Sequence, residues 1–360
     1  MPSYQNTKSI LGSDEAAFNA LVAHQLTEFN DDSITEVGQY GFYKQNTLQS
    51  IYLPKCKIIG NNAFSDCTVL QRIFIGLDNS TVATCSGGAF NNTGRAIIYV
   101  PDELVSNYRS ASNWSAYAGR IFGVSSAATG ENEWNETEIT DTPEQIASYV
   151  SAGTAASRYK LGQYKTIDLG AQGQIRMQIV GKNCRELASS TDTAQLDWLA
   201  MDLLVTNHKM NDALNGTTAG TGAIGPMTAE YNSMQAYLDT TIWTLVPSVW
   251  QNMIKETKQI TTSYNTSGTK VTNDVTTSKL RIPSYREVGL GNLETQGPVY
   301  SLAFPDNTSR IRKKIGSSSA TYWWLRSASD TSYFCLVNYS GNYTSNYAST
   351  EYGVALAFST

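Results

Sequence analysis

Histidine is almost missing from this chain: His24 and His208 are the only two among 360 residues. A His-based catalytic triad or a His-rich metal site therefore has little material to draw on. Cysteine is sparse and scattered, with Cys56, Cys67, Cys85, Cys184 and Cys335 far apart and no Cys-x-x-Cys. That odd, dispersed set argues against a disulfide framework or a zinc ribbon. No apolar run approaches the ~18 residues of a membrane span. The opening MPSYQNTKSILGSDEAAF has no basic stretch leading into an apolar one, so neither a Sec signal nor membrane insertion is expected. An excess of positive charge is missing too: 26 Lys and Arg stand against 31 Asp and Glu, a formal charge of -5. Nucleic acid and anionic lipid are thus poor partners. Charged residues make up only 16% of the chain, whereas Tyr reaches 21 and Gly 27, so the surface should be polar but mostly neutral. The length suits about two domains, each able to bury its own core.

What the first hundred residues do have is a repeat. Gly38, Phe42, Leu48, Ile51 and Leu53 are matched 22 residues later by Gly60, Phe64, Leu70, Ile73 and Ile75. A degenerate third copy runs from Gly88-Ala89-Phe90 to Ile97-Ile98-Tyr99-Val100-Pro101. The period-2 segments Ile51/Leu53 and Ile73/Ile75 predict strands, and one copy cannot bury its apolar face without a neighbour. Residues from about 33 to 101 resemble the short-period leucine-rich repeats of bacterial and phage surface proteins. Helical spacing predicts a capping helix over Ser13–Phe29 and a second over Asp102–Gly119. His24 falls on the first, as a surface or boundary residue.

Residues 124–141 lose apolar periodicity and fill with Ser, Gly, Asn, Thr and Glu, as a linker does. The expected organisation is a repeat module over 1–123, the linker, and a second domain over 142–360. In that domain Pro143–Val150 reads as a short helix with a Thr or Asp cap. Tyr164–Leu169 and Gln174–Val180 read as a hairpin around Gly170 and Gly173. The apolar spacing over 196–205 predicts a buried helix or an edge segment. Tyr231–Leu238 and Leu245–Thr257 predict two more helices, and Asn265–Thr277 a hairpin tip.

Three ordered segments carry a second resemblance: Lys279-Leu-Arg-Ile-Pro-Ser-Tyr-Arg-Glu-Val288, Tyr322-Trp-Trp-Leu-Arg-Ser327 and Gly353-Val-Ala-Leu-Ala-Phe358. From about residue 136 onward the chain looks like the C-type-lectin-fold variable proteins that retroelements diversify in gut bacteria and their phages. The resemblance implies an α+β protein in which a small leucine-rich repeat module precedes a C-type-lectin-like domain. It also implies a C-terminal region rewritten at adenines, in which Asn codons become Tyr, Ser, Thr or Asp. Ser329–Tyr352 fits that outcome: it is dominated by Ser, Thr, Asn and Tyr and contains neither Lys nor Arg.

The same stretch has a direct physical reading. Tyr offers broad, rigid, amphipathic contact at low entropy cost, and Ser, Asn and Gly adapt their hydrogen bonds, as in antibody paratopes. The candidate ligand-binding residues are Asp330, Ser332, Tyr333, Cys335, Asn338, Tyr339, Asn342, Tyr343, Ser345, Asn346, Tyr347, Thr350 and Tyr352. With Val337, Val354, Leu356 and Phe358 in buried strands, Asn338–Tyr352 should form an exposed loop surface. Because Tyr and Thr also favour strands, a solvated sheet face is the alternative reading.

Motifs for chemistry mostly fail. Gly220-x-Gly222-x-x-Gly225 follows polar residues and runs into Pro226, so it lacks the strand and helix a dinucleotide site requires. There is no Walker A sequence, no EF-hand spacing and no Glu-Pro-Asn, Gln-Pro-Asp or Trp-Asn-Asp sugar triplet. The formylglycine-generating oxidases share a related fold and need two nearby active cysteines. Here only Cys184 and Cys335 are available, far apart. Asp31-Asp32, and Asp192 with Asp197, read as caps and solvated surface, and Arg310-Ile-Arg-Lys-Lys as a solvated edge. Trp323 and Trp324 read as core. The expectation is a non-enzyme without metal or cofactor that binds a host-surface or other macromolecular ligand through its hypervariable C-terminal surface. The setting would be phage receptor binding or adhesion, on a virion or bacterial surface, with the repeat module open to a virion partner. A formylglycine-oxidase-like enzyme and a structural virion spacer are the alternatives.

Overall fold

The 22-residue sequence period becomes a strand register. Ser50–Leu53 lies parallel to Arg72–Ile75 with Ser50 opposite Arg72 and Leu53 opposite Ile75. Glu28–Asn30 joins on one side with the same offset, Glu28 opposite Ser50. Ile97–Val100 and Ile121–Gly123 complete a five-stranded parallel sheet. Strand alternation turns Ile51, Leu53, Ile73, Ile75, Ile98 and Val100 into a common core. Rings also stack from copy to copy, Phe42 on Phe64 and Phe64 on Phe90, each with centroids 5.3 Å apart. Even the left-handed backbone positions repeat with the period: Tyr40 and Lys44 are followed by Asn62 and Asp66, all at positive φ.

The computed structural model describes residues 25–128, 130, 133–212, 227–228, 230–265 and 267–360. Two units are distinguished, 1–133 and 134–360. In the first, the predicted helix over 13–29 is corrected at its end, because residues 25–27 are not helical and residues 28–30 are a strand of the array; residues 13–24, with His24, lie outside the described residues. The predicted helix over 102–119 is broken into a 3-10 turn Asp102–Leu104, a helix Val105–Ser110 and a second 3-10 segment Ser115–Arg120. Asn113, at φ 62°, sits in the break. Trp114 still closes the stack, its indole N–H donating to the Ala83 carbonyl at 2.6 Å. Described residues of the polar segment after Gly123 make contacts within their own units. Ser125 donates to Asp102 at 2.8 Å, Arg72 pairs with Glu133, and Ile139 is buried in the second unit.

In the second unit, Thr142 and Gln145 form a reciprocal capping box at the helix Pro143–Ser151. The hairpin Tyr164–Asp168 with Gln174–Glu186 is present. It belongs to a five-stranded antiparallel sheet ordered 280–281, 357–359, 193–200, 174–186, 164–168. The helix expected over 196–205 is instead the strand Thr193–Ala200. Leu196, Trp198, Leu199 and Ala200 are all buried, and a strand covered on both faces shows an unbroken apolar run that cannot be told from a helix by spacing. The two helices expected over 231–257 are divided by a π turn at Leu238–Ile242 and by Pro247 into short pieces, and Thr257–Tyr264 is already strand. It pairs with Lys270–Ser278, so the excursion over 265–277 is a tip and its returning strand.

Beneath these elements lies a buried ionic network. Asp197, far from being solvated surface, is 1% exposed and contacts Arg185 and Arg281, each at 3.2 Å. Glu287 contacts Arg185 at 2.6 Å and Arg326 at 2.5 Å. The Tyr300 hydroxyl donates to Asp197 at 2.7 Å. Burial alone would push both carboxyls up, but the guanidiniums overcome it and hold Asp197 and Glu287 below the usual carboxylate range. The network ties residues from the sheet, from the 281–287 segment and from the Trp323–Ala328 strand into one core.

Candidate functional site

The Tyr/Ser/Asn-rich stretch builds a small antiparallel sheet, in the order Trp323–Ala328, Tyr333–Val337, Tyr343–Tyr347. The first two strands are fixed in the core. Trp323 and Trp324 are both fully buried, their indole N–H groups donating to the carbonyls of Arg310 at 3.1 Å and His208 at 2.8 Å. Phe334, Cys335, Leu336 and Val337 are buried as well.

Two turns then present the polar residues. At the first, the Asp330 carboxylate accepts from the backbone N–H of Ser332 at 2.7 Å and of Tyr333 at 2.9 Å. At the second, Asn338 Oδ1 accepts from Ser340 N and Ser340 Oγ, both at 2.9 Å, and from Asn342 N at 3.0 Å. Gly341 takes φ +80° there, and a Cβ would fall 1.7 Å from the Asn307 carbonyl. The tip is bolted down from below: Arg310 Nε donates to the Gly341 carbonyl at 3.0 Å, and Asn307 Nδ2 to Asn342 Oδ1 at 2.5 Å. Arg310 and Arg312 are both buried, which corrects the reading of the 310–314 run as a solvated edge; among its cationic side chains Lys313 alone is exposed.

Against this frame the tyrosines turn outward. Tyr339 is 59% exposed, Tyr343 43% and Tyr347 41%. Tyr333 stacks on its cross-strand neighbour Tyr347 with centroids 4.3 Å apart. Tyr343 meets the edge of Tyr285 at 5.1 Å, and Tyr339 that of Tyr322 at 5.7 Å. Tyr322 continues to Tyr352 at 5.5 Å, whose hydroxyl accepts from Asn346 Nδ2 at 2.6 Å. Tyr285 and Tyr322 were absent from the candidate set. Both lie in the flanking segments already singled out, and only the fold brings them beside the tip.

The candidate residues divide into groups. Tyr339, Asn342, Tyr343 and Tyr347 are exposed, and Ser332, Tyr333, Ser345, Asn346, Thr350 and Tyr352 are partly so. Asp330 and Asn338 build turns. Cys335 is corrected: it faces Val337 and Trp323 in the core, and burial pushes its thiol far up. The expected loop over 338–352 is also corrected in part, since 343–347 is a strand. Its residues are half-exposed because it is the outer strand of its sheet.

Burial raises the Tyr285 and Tyr343 phenols, and the hydrogen bond to Tyr347 raises that of Tyr333. Exposed Asp330 and Glu351 are the only acidic residues of the stretch. The patch offers ring faces, hydroxyls and amides beside those two carboxylates. A separate cleft of about 540 Å³ is lined by Cys184, Arg185, Lys258 and Val275 among others. Arg185 gives its N–H groups to Asp197, Glu287, Tyr300, Gln259 and the Lys258 carbonyl, and Lys258 pairs with Glu186 at 2.7 Å. That cleft has no spare charge to offer a ligand. Among the described residues, no cluster of three or more His, Cys, Asp or Glu is placed to hold a metal ion, and no helix is long and apolar enough to cross a membrane.

Comparison with known proteins agrees with the first unit and leaves the second open. Residues 5–114 match the BspA type leucine rich repeat region, in 6 copies. The N-terminal part therefore carries BspA-type leucine-rich repeats, in more copies and from an earlier start than the three read from the sequence. Residues 209–359 match a domain of unknown function, DUF6273. No curated protein and no solved structure matches the chain.

Proposed function

We propose that this protein is a binding protein without catalytic activity that recognises a macromolecular ligand through the tyrosine surface of residues 330–352, joined by Tyr285 and Tyr322. One observation carries the reading: Tyr339, Tyr343 and Tyr347 are exposed on a turn and strand whose hydrogen bonds come from the backbone, Asn338, Asn307 and Arg310. Such a surface can change side chains while its scaffold stays, the property a diversified binding site requires. We read the second unit as a C-type-lectin-like variable domain rewritten by a retroelement, displayed on a phage or bacterial surface for receptor binding or adhesion. The repeat array would supply a docking or spacing module.

Two experiments test this. Deep sequencing of the gene across a population should find substitutions at adenines in the codons for Tyr339, Tyr343 and Tyr347, with Gly341 and Leu336 unchanged; uniform drift across the gene contradicts diversification. On protein and glycan arrays, spots retained by the wild-type chain should lose binding at least about tenfold when all three tyrosines become alanine, given that aromatic anchors dominate such contacts. Binding that survives the triple change places recognition elsewhere.

A further inference from the structure

The strand Tyr343–Tyr347 is paired on one side only, with Tyr333–Val337. In this register Thr344 and Asn346 direct their main-chain groups toward Leu336 and Phe334, so those of Tyr343, Ser345 and Tyr347 point away from the sheet. Tyr347 satisfies its own locally: its N–H donates to Asn346 Oδ1 at 2.8 Å, and its carbonyl accepts from Thr350 N at 3.0 Å. The N–H and C=O of Tyr343 and Ser345 are left as an outward row of two donors and two acceptors. Natural edges of this kind are blunted by Lys, Pro, a bulge or an inward charge. This one has none of them; its sequence is Tyr-Thr-Ser-Asn-Tyr and its pairing is regular.

We propose that this edge pairs antiparallel with the same edge of a second copy of the chain, about a two-fold axis at Thr344. In that register Tyr343 of each copy exchanges both hydrogen bonds with Ser345 of the other, which uses all the outward groups of both copies in four bonds. The neighbours are self-complementary. Thr344 meets Thr344 as a close non-hydrogen-bonded pair, a favourable cross-strand combination. Asn342 meets Asn346, amide to amide, and no like charges are brought together. A foreign strand would satisfy the same main-chain groups without this self-complementary side-chain match. The pairing is independent of the ligand reading, because it uses the strand's edge and leaves the faces of the tyrosine rings open.

So short a contact falls below the area of a standard stable interface, so the dimer is weak, dissociating on the order of 100 µM. Sedimentation velocity of the full chain from low micromolar to millimolar concentration should show a reversible monomer–dimer exchange. Thr344→Lys and Thr344→Glu, each alone, should be monomeric through like-charge repulsion across the axis, while their equimolar mixture should dimerise again. As a measurement free of variants, amide exchange at Tyr343 and Ser345 in the wild type should slow as concentration rises. A wild type that stays monomeric throughout, a dimer indifferent to both charged variants, a mixture that fails to restore it, or amides unaffected by concentration would each overturn the proposal. The first of these would leave the edge to an extended strand of another protein.

Discussion

Gly341 and Tyr339 sit two positions apart in one turn and carry opposite duties. Gly341→Ala must place a methyl group against the Asn307 carbonyl at a left-handed backbone position. A cost of more than about 2 kcal/mol is expected in urea unfolding. Tyr339→Ala, at 59% exposure, should change stability by less than about 0.5 kcal/mol. Composition alone could not separate the two, nor could it separate Cys335 from the polar residues around it. The thiols make a second check. Burial pushes Cys56 up to about 11, Cys67 and Cys85 up to about 12, and Cys335 further. Mass spectrometry after brief iodoacetamide treatment at pH 8 should find these four unmodified in the native protein and modified in urea; native labelling of Cys335 would place it on the surface after all.

The repeat strands were legible because five apolar positions recur at one offset and each copy must stack on the next. Phe64 lies between Phe42 and Phe90 in that stack, so Phe64→Ala should cost about 3–5 kcal/mol, read as a lower unfolding midpoint of the array. Legibility fails where burial removes the pattern. The strand Thr193–Ala200 is covered on both faces and mimics helical spacing, and the short helices after Ser233 are cut by a π turn that no residue announces. The tyrosine surface was half legible. Its outward composition is local, but Tyr285 and Tyr322 reach it only through long-range packing. Within the turn one side chain does most of the bonding: Asn338→Ala removes three hydrogen bonds and should cost about 1–2 kcal/mol.

Across the second unit, stiffness comes from the ionic network. Because Asp197 and Glu287 are held below their ordinary values, their contribution is present in full above the unfolded carboxylate range of about 4 and lost as pH falls through the lowered native values. Urea midpoints should change little between about pH 7 and 5 and drop steeply below about 4. Glu287→Gln leaves Arg185 and Arg326 without that carboxylate and should cost about 3–5 kcal/mol, with a shallower acid dependence. A midpoint insensitive to this substitution would mean that the network is not what stiffens the core.

A scaffold held in this way has no need of the aromatic side chains it presents. The most direct measurement is the thermal midpoint of the chain carrying Tyr339→Ala, Tyr343→Ala and Tyr347→Ala together. Loss of three largely exposed contacts should total about 1–2 kcal/mol and lower the transition of the second unit by about 3–8 °C, with cooperativity retained. A fall of more than about 15 °C, or loss of the cooperative transition, would mean that the rings are structural and that the surface does not exist for recognition.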